Sequence, residues 1–476
     1  MFVVEKYLAC GKFDKMKARL VADGRDQDPE LFPNKSSPTV SIQSVLIVLG
    51  IIITWSWRNV IKIDIKGAYV QTPMTGDPVY MRIYPKIAKQ IVELFPGYRK
   101  FVDKNGNLYT VMRKAMYGCI QASSMWFNLL TKVLREFGYE HCPTDQCVMR
   151  KVKGDRIFLL LIYVDDILAI VDDKEKLDLK ELLIGMFGTV QYEVNNELSY
   201  LGMQVKVGED RATIDMSNYV RNLLKDVATK VVTSPGTRTS FKVDEKSPKL
   251  EESERKLFHS LTAKLLYLAK RARPDILTMV CFLCTQVQEA TEEDKRKLDR
   301  VLGYLRGTAS TCLKLRPRDA LRVEAYIDAA FASHPDSKSH TGIVILVGSS
   351  LVYVASKKQK CVTKSPTEAE LVGLTDNMGL VELVHEFVEF VTKKSLPTPI
   401  IYQDSTSVIS LITKGGGITR TKHLRARMHL GKEAYDNGSI KVIYKGTKDM
   451  KADGLSKPFD PGEQRQFAMF IQGDIK

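Results

Sequence analysis

Residues 157–171 read Ile-Phe-Leu-Leu-Leu-Ile-Tyr-Val-Asp-Asp-Ile-Leu-Ala-Ile-Val, an apolar run broken only at Tyr163 and at Asp165-Asp166. The run is long enough for two buried strands, and its polar break predicts a hairpin turn. A second apolar run, residues 45–57, leads into a strand pattern at Ile61-Lys62-Ile63-Asp64-Ile65 and reads as a buried helix. It is too short to cross a bilayer as a helix. Helical spacing follows at 126–137, ending at Gly138, and at 174–187, ending near Gly188. A strand and helix are predicted over 214–227. Periodicity is lost over 229–256, where Pro235-Gly236 and Pro248 sit among Thr, Ser, Lys and Glu, so that stretch reads as an exposed linker. Helical spacing returns at 258–268, after Arg273-Pro274, and at 297–308.

From residue 321 the pattern resets. A strand over 323–328 ends at Asp328, and paired strands over 341–354 surround Gly348-Ser349-Ser350. A helix opens at Pro366 and carries Glu368 and Glu370, a strand over 400–404 ends at Asp404, and Asp453 follows a strand over 440–444. The expected organisation is a first unit at 1–228, a linker at 229–256, a helical connection at 257–320, an α/β unit at 321–460 and a tail at 461–476.

Composition narrows this picture only in places. A chain of 476 residues is too long for one ordinary domain, and 44% hydrophobic residues suffice for real cores. The formal charge of +15 favours a polyanionic partner. Eight Cys follow no disulfide framework, which suits a reducing, intracellular setting. Cys281-x-x-Cys284 is a lone pair on an apolar stretch and reads as core rather than as a zinc site. No signal-peptide pattern is visible at Met1–Lys6.

The carboxylates carry the chemistry. Asp165 and Asp166 would repel each other if both were ionised at a strand tip. A divalent cation relieves that repulsion, and hard Mg²⁺ prefers oxygen ligands. The plainer reading of the doublet alone is a polar hairpin tip.

Tyr163-Val164-Asp165-Asp166 between apolar strands resembles the catalytic turn of reverse transcriptases, and its flanks resemble the Ty1/copia (Pseudoviridae-type) retrotransposon class. Asp64, followed by Ala68-Tyr69, is similar to that family's third metal acid and its aromatic neighbour. Lys17-Ala18-Arg19-Leu20-Val21 resembles a fingers strand, where Lys17 and Arg19 could meet phosphate; a solvated strand face is the alternative. Lys114-Ala-Met-Tyr-Gly resembles the loop that closes over nucleotide and template, with Tyr117 and Gly118 at its centre. Leu201 and Gly202 fall in a hairpin similar to the one that holds the primer terminus.

The resemblance implies an α+β chain. A right-hand polymerase with fingers, palm and thumb is followed by a connection and an α/β ribonuclease H-like domain. It implies two active sites that each hold two Mg²⁺, with Mn²⁺ as a possible substitute, one at Asp64, Asp165 and Asp166, the other at Asp328, Glu370, Asp404 and Asp453. Tyr69 would lie under the incoming sugar and clash with a 2′-hydroxyl. Glu368 competes with Glu370, but two helix positions are about 200° apart, so both cannot face one metal pair. His423 and His429 read as helix or substrate-facing residues.

The implied activity is RNA-directed DNA synthesis with hydrolysis of RNA in RNA–DNA hybrids. The implied partners are RNA template, DNA primer, hybrid and deoxynucleoside triphosphates, without a membrane. The setting would be a cytoplasmic virus-like particle or the nucleus, and the chain would begin inside a longer polyprotein. Two departures stand out: the family's Pro is Ser123 and its next, basic residue is Ser124. They leave open a decayed or domesticated element that binds nucleic acid without copying it. Lys264, Lys270, Arg271 and Arg273 could follow a duplex backbone or form a solvated face.

Overall fold

The computed structural model describes residues 2–7, 13–28, 30, 36–55, 57–195, 197–317, 319–415 and 422–475. The apolar run does fold as two strands, Arg156–Tyr163 and Asp166–Val171, joined by a two-residue turn. They are the centre of a six-stranded antiparallel sheet. On one side of this hairpin lie Asn59–Ile65 and then Val190–Glu193; on the other lie Val148–Lys153 and Glu140–His141. Alternation along Asn59–Ile65 buries Ile61, Ile63 and Ile65 and turns Lys62 and Asp64 to the opposite face. Helices Ala122–Glu136 and Asp173–Phe187 add Trp126, Leu130, Leu179, Leu183 and Phe187 to the core.

Behind this sheet a four-stranded sheet runs Glu197–Tyr200, Met203–Val207, Ala212–Asp215, Leu313–Leu315, so residues a hundred apart in the chain close it. The rear unit is a five-stranded mixed sheet. Ser350–Val362, Lys338–Val347 and Val323–Ala330 pair antiparallel, while Ile400–Gln403 and Lys441–Tyr444 continue parallel. Parallel strands need crossovers, and the helices Pro366–Thr375, Met378–Thr392, Thr406–Lys414 and Lys422–Asp436 supply them.

The helix Ile42–Ile52 ties front to rear. Nine consecutive residues, Ser44 to Ile52, are buried, as expected of a helix that is apolar all round. Just before it, Val40 N–H donates to the Ile162 carbonyl of the front sheet at 3.2 Å. The helix then packs on the rear strand Ser350–Val362, where Gly50 lies so close to Ser350 that a Cβ would stand 3.3 Å from the serine Cβ. A second tie is Arg150 of the front sheet, whose guanidinium lies 4.1 Å over the Phe390 ring and donates to the Phe390 carbonyl.

Two segments differ from their sequence reading. The stretch 229–256 lacks helix until Glu252, but it is not an exposed linker. Ser234, Phe241 and Leu250 are buried, and Phe241 stacks on Phe282 at 4.8 Å. Irregular backbone removed the periodicity, while single apolar side chains still dock. The segment 461–476 is not a bare tail: Pro461–Ile471 is a helix that buries Gln464, Phe467 and Ile471. No helix among the described residues is long and apolar enough to cross a membrane.

Candidate active sites

Asp64 stands directly opposite Asp166 in the register of neighbouring strands, and Val164-Asp165 forms the hairpin turn beside them. Directly opposed residues of an antiparallel pair have Cβ atoms about 4.5–5.5 Å apart. Asp165 is held alongside by its carbonyl, which accepts from Ile65 N–H at 3.1 Å. The three acids therefore share one sheet end. Like charges placed opposite each other are destabilising. Here Lys62 Nζ lies 3.4 Å from Asp166, and Lys66 is ion-paired with Asp64. Hard carboxylate oxygens are of the type a divalent cation prefers, but these three acids are not drawn into one group with ligand atoms within 4.8 Å of one another.

The turn is strained. Val164 has φ +58°, a left-handed conformation unusual for a β-branched residue. Trp126, itself buried, pins it by donating Nε1–H to the Val164 carbonyl at 2.7 Å.

Tyr69 and Tyr117 meet with ring centroids 4.5 Å apart. Burial raises the Tyr69 phenol pKa, and the neighbouring Tyr117 and Asp165 add to the rise. Gly118 has φ +94°, and a Cβ there would overlap the Ala22 carbonyl, so the loop needs glycine. Ala22 N–H donates to the Tyr117 carbonyl at 2.8 Å. Gln27 clips the same loop, accepting from Ile120 N–H at 2.9 Å and donating to Gln121 Oε1 at 3.1 Å. Nothing in local sequence pattern marks Gln27 for this. Lys17 and Arg19 fall on the strand Phe13–Arg19, but their side chains lie outside the described residues, as does that of His423.

Leu201 and Gly202 are the turn between Glu197–Tyr200 and Met203–Val207, both with positive φ, +52° and +80°. That is the twist a two-residue hairpin favours. The helix Glu252–Ala269 holds the turn: Tyr267 Oη donates to the Leu201 carbonyl at 3.1 Å, and Arg271 Nε donates to it at 3.3 Å. Arg271 also lies 3.6 Å over the Tyr267 ring. Arg271 is thus half-buried and engaged with the turn rather than on a fully solvated face.

Arg273 departs further, being 1% exposed. It forms a two-pronged pair with Asp275 at 2.9 and 2.8 Å, and Asp275 also accepts from Tyr304 Oη at 2.9 Å and Gln472 Nε2 at 2.7 Å. A buried charge is tolerable only when paired and hydrogen-bonded in this way.

The rear acids form the second site. Asp328, Glu370 and Asp404 each place a carboxylate oxygen within 4.8 Å of the others, the one such metal-capable group among the described residues. Glu370 accepts from Ala329 N–H at 3.1 Å and Gln403 Nε2 at 2.9 Å. Glu368 instead closes the helix start, accepting from Lys364 N–H at 2.7 Å. Thr447 Oγ1 donates to Asp404 at 2.9 Å, and Ser456 donates to Asp328. Asp453 stands outside the group of three, paired with Lys457 at 2.8 Å.

Burial raises the pKa of Asp328, and the Asp453 charge adds to it. Burial likewise raises Glu370, with Asp328 next in effect. Buried carboxylates that resist joint ionisation fit a dication, whose charge would offset their mutual repulsion.

Residues 3–237 match the family described as reverse transcriptase (RNA-dependent DNA polymerase). The chain is 30% identical over 478 residues to the retrovirus-related Pol polyprotein from transposon RE1 of Arabidopsis thaliana, covering 98% of this chain and 31% of that relative. It is 22% identical over 475 residues to the transposon Ty1-ER2 Gag-Pol polyprotein of Saccharomyces cerevisiae, covering 93% of this chain and 25% of the relative. The foamy viral protease-reverse transcriptase solved with double-stranded DNA is similar in fold, with TM-score 0.51 and 14% identity over 94% of this chain and 65% of that one.

The front of the chain is therefore a reverse transcriptase domain. Its relatives over nearly the whole chain are Ty1/copia-type Pol polyproteins of plants and yeast, of whose length it spans between a quarter and a third.

Proposed function

We propose that the chain is the polymerising and hybrid-cleaving portion of a copia-type retrotransposon Pol. The six-stranded sheet acts as palm and extends a DNA primer on an RNA template at Asp64, Asp165 and Asp166. The rear unit acts as a ribonuclease H at Asp328, Glu370 and Asp404, with Asp453 beside them. The observation that carries the reading is the in-register pairing of Asp64 with Asp166 at the end of a hairpin whose turn holds Asp165.

Mg²⁺ or Mn²⁺ held by either acid set would activate an attacking oxygen and stabilise the leaving one. The chain's own residues do the rest. The strained Val164 turn, fixed by Trp126, sets where Asp165 and Asp166 point. Tyr69 lies under the sugar of the incoming deoxynucleotide and rejects a 2′-hydroxyl. Tyr117 and Gly118 close over the nascent pair, Lys17 and Arg19 meet phosphate, and the Leu201-Gly202 turn supports the primer end. Template and hybrid are gripped through backbone and 2′-hydroxyls, with little sequence preference and strong salt dependence.

The test is primer extension on a poly(rA)–oligo(dT) template with Mg²⁺, alongside cleavage of labelled RNA in a hybrid. Asp165→Asn abolishes extension and spares cleavage; Glu370→Gln does the reverse. Loss of neither activity in these variants refutes the assignment. A parent chain silent in both assays that still binds nucleic acid supports the binding-only reading raised by Ser123 and Ser124.

A further inference from the structure

Asp453 sits on a helix of a single turn, Asp453–Ser456. A helix this short is not stable by itself, because nucleation is costly and few bonds repay it. Its neighbours must hold it. The Gly454 carbonyl has a particular need. The residue four positions on is Pro458, which has no N–H to offer. The donor comes from 176 residues away: Thr278, buried on the connecting helix Leu277–Cys284, donates Oγ1–H to the Gly454 carbonyl at 2.6 Å.

The turn is seated closely on its other sides. Its backbone lies against the strand Lys338–Val347 at Gly342, where a Cβ would stand 2.5 Å from the Ala452 carbonyl oxygen and 2.6 Å from the Ser456 nitrogen. A Cβ on Gly454 would run into the Phe459 and Phe467 rings. Gly236 closes the joint between the two helices: a Cβ there would stand 2.5 Å from Met279 Sδ and 3.4 Å from Pro458 Cβ.

These four residues carry much of the rear site. Asp453 is one of the four rear acids, and Ser456, fully buried, donates its hydroxyl to Asp328. Two acids therefore take their positions from one turn of helix. We propose that Thr278 is a positioning residue for the rear acids. By holding the Gly454 carbonyl, the connecting helix sets where Asp453 points and keeps Ser456 on Asp328. The inference rests on the ribonuclease H reading of the rear unit. It adds that this site is complete only with the connecting helix docked.

The experiment uses the full chain with Thr278→Val, which removes the hydroxyl at nearly constant shape, and Thr278→Ser, which restores it. In Thr278→Val, kcat for hybrid cleavage falls by about 5- to 30-fold, as expected when a buried carbonyl loses its donor. KM for the hybrid is unchanged, since no substrate contact is lost. Thr278→Ser returns to parent behaviour, and primer extension is unaffected in both. Mn²⁺ binding is read by electron paramagnetic resonance in an Asp64→Asn/Asp165→Asn background, which disables the front acids. Thr278→Val weakens it there by a comparable factor. Adding Ser456→Ala to Thr278→Val costs less than the product of the two single losses, because both act through one helix. If the Val variant does not fold, Thr278→Cys, whose S–H is a weak donor, carries the same comparison.

Parent-like cleavage and Mn²⁺ binding in Thr278→Val overturn the proposal. Equal loss of cleavage and extension overturns it too, as does strict multiplication of the Thr278 and Ser456 penalties. A parent chain that cleaves no hybrid defeats the ribonuclease H reading instead. The Mn²⁺ comparison then still decides on Thr278, with unchanged affinity against the proposal and weakened affinity for it.

Discussion

Gly202→Ala tests how the supporting helix acts on polymerisation. The new Cβ would overlap the Tyr267 hydroxyl, and the residue would have to keep φ near +80°. Holding a side-chain-bearing residue in the left-handed region costs about 1–2 kcal/mol. Pushing Tyr267 aside breaks its bond to the Leu201 carbonyl, about 1 kcal/mol more. The sum, about 2–3 kcal/mol, corresponds to about 30- to 150-fold fewer molecules with the turn in place. The readout is kcat/KM for primer extension, with hybrid RNA cleavage by the same preparation as control. Extension should fall by about that factor while cleavage is unchanged.

A second background separates the two costs. In Tyr267→Phe the hydroxyl is gone, and the nearest ring carbon to a Cβ at 202 is 3.3 Å away. Adding Gly202→Ala there should cost only the backbone part, about 5- to 30-fold. Equal penalties in both backgrounds would show that Tyr267 does not position the turn. An unaffected extension rate would show that the turn plays no part in holding primer.

Three further outcomes follow from the same structure. Asp275→Asn strands the buried Arg273 charge, a loss of about 3–5 kcal/mol. At about 2–4 °C per kcal/mol, the main melting transition drops by roughly 6–20 °C, and a shift under about 2 °C would mean the pair is not sealed from water. Trp126→Phe leaves the Val164 carbonyl without its donor, at about 1–3 kcal/mol; extension slows with circular dichroism unchanged, and a parent-like rate counts against the pinned turn. His334 and His340 are hydrogen-bonded to each other at 2.9 Å, and His334 stacks beside Phe241. Burial pushes their pKa values down, to about 4 for His334, with Lys358 adding, and to about 3 for His340, with His334 adding. The folded pair stays neutral while unfolded imidazoles take protons near 6.5, so this stability is present above about pH 6.5 and is lost as pH falls towards 4. Melting temperature should decline over that window, and less steeply in His340→Gln; parallel slopes would refute the assignment.

What could be read from the sequence was local. The hairpin around Asp165-Asp166 and the Asp64 strand announce themselves through apolar runs and period-two alternation. The rear acids fall at the ends of strand or helix patterns. Helix rotation showed that Glu368 and Glu370 could not both face one site; the family resemblance favoured Glu370, which the structure groups with Asp328 and Asp404. Contacts between distant residues left no local trace. Tyr267 reaches Leu201 across 66 residues and Asp275 reaches Gln472 across 197, so the clamp on the turn and the docking of the last helix were invisible. Phe241 stands in a stretch without periodicity, and one buried ring does not make a pattern.

The helix Ile42–Ile52 gives the two halves a common inheritance. Its buried residues serve the front sheet through the Val40 link and the rear sheet through Gly50 and Ser350. A chain cut to its reverse transcriptase portion would carry this helix with one apolar flank bare, and such a fragment should aggregate rather than work alone. Exchange of the rear unit between related elements succeeds only if the incoming strand presents a small residue opposite Gly50. The front and rear sets of acids are thus bound to one lineage by a helix that touches neither.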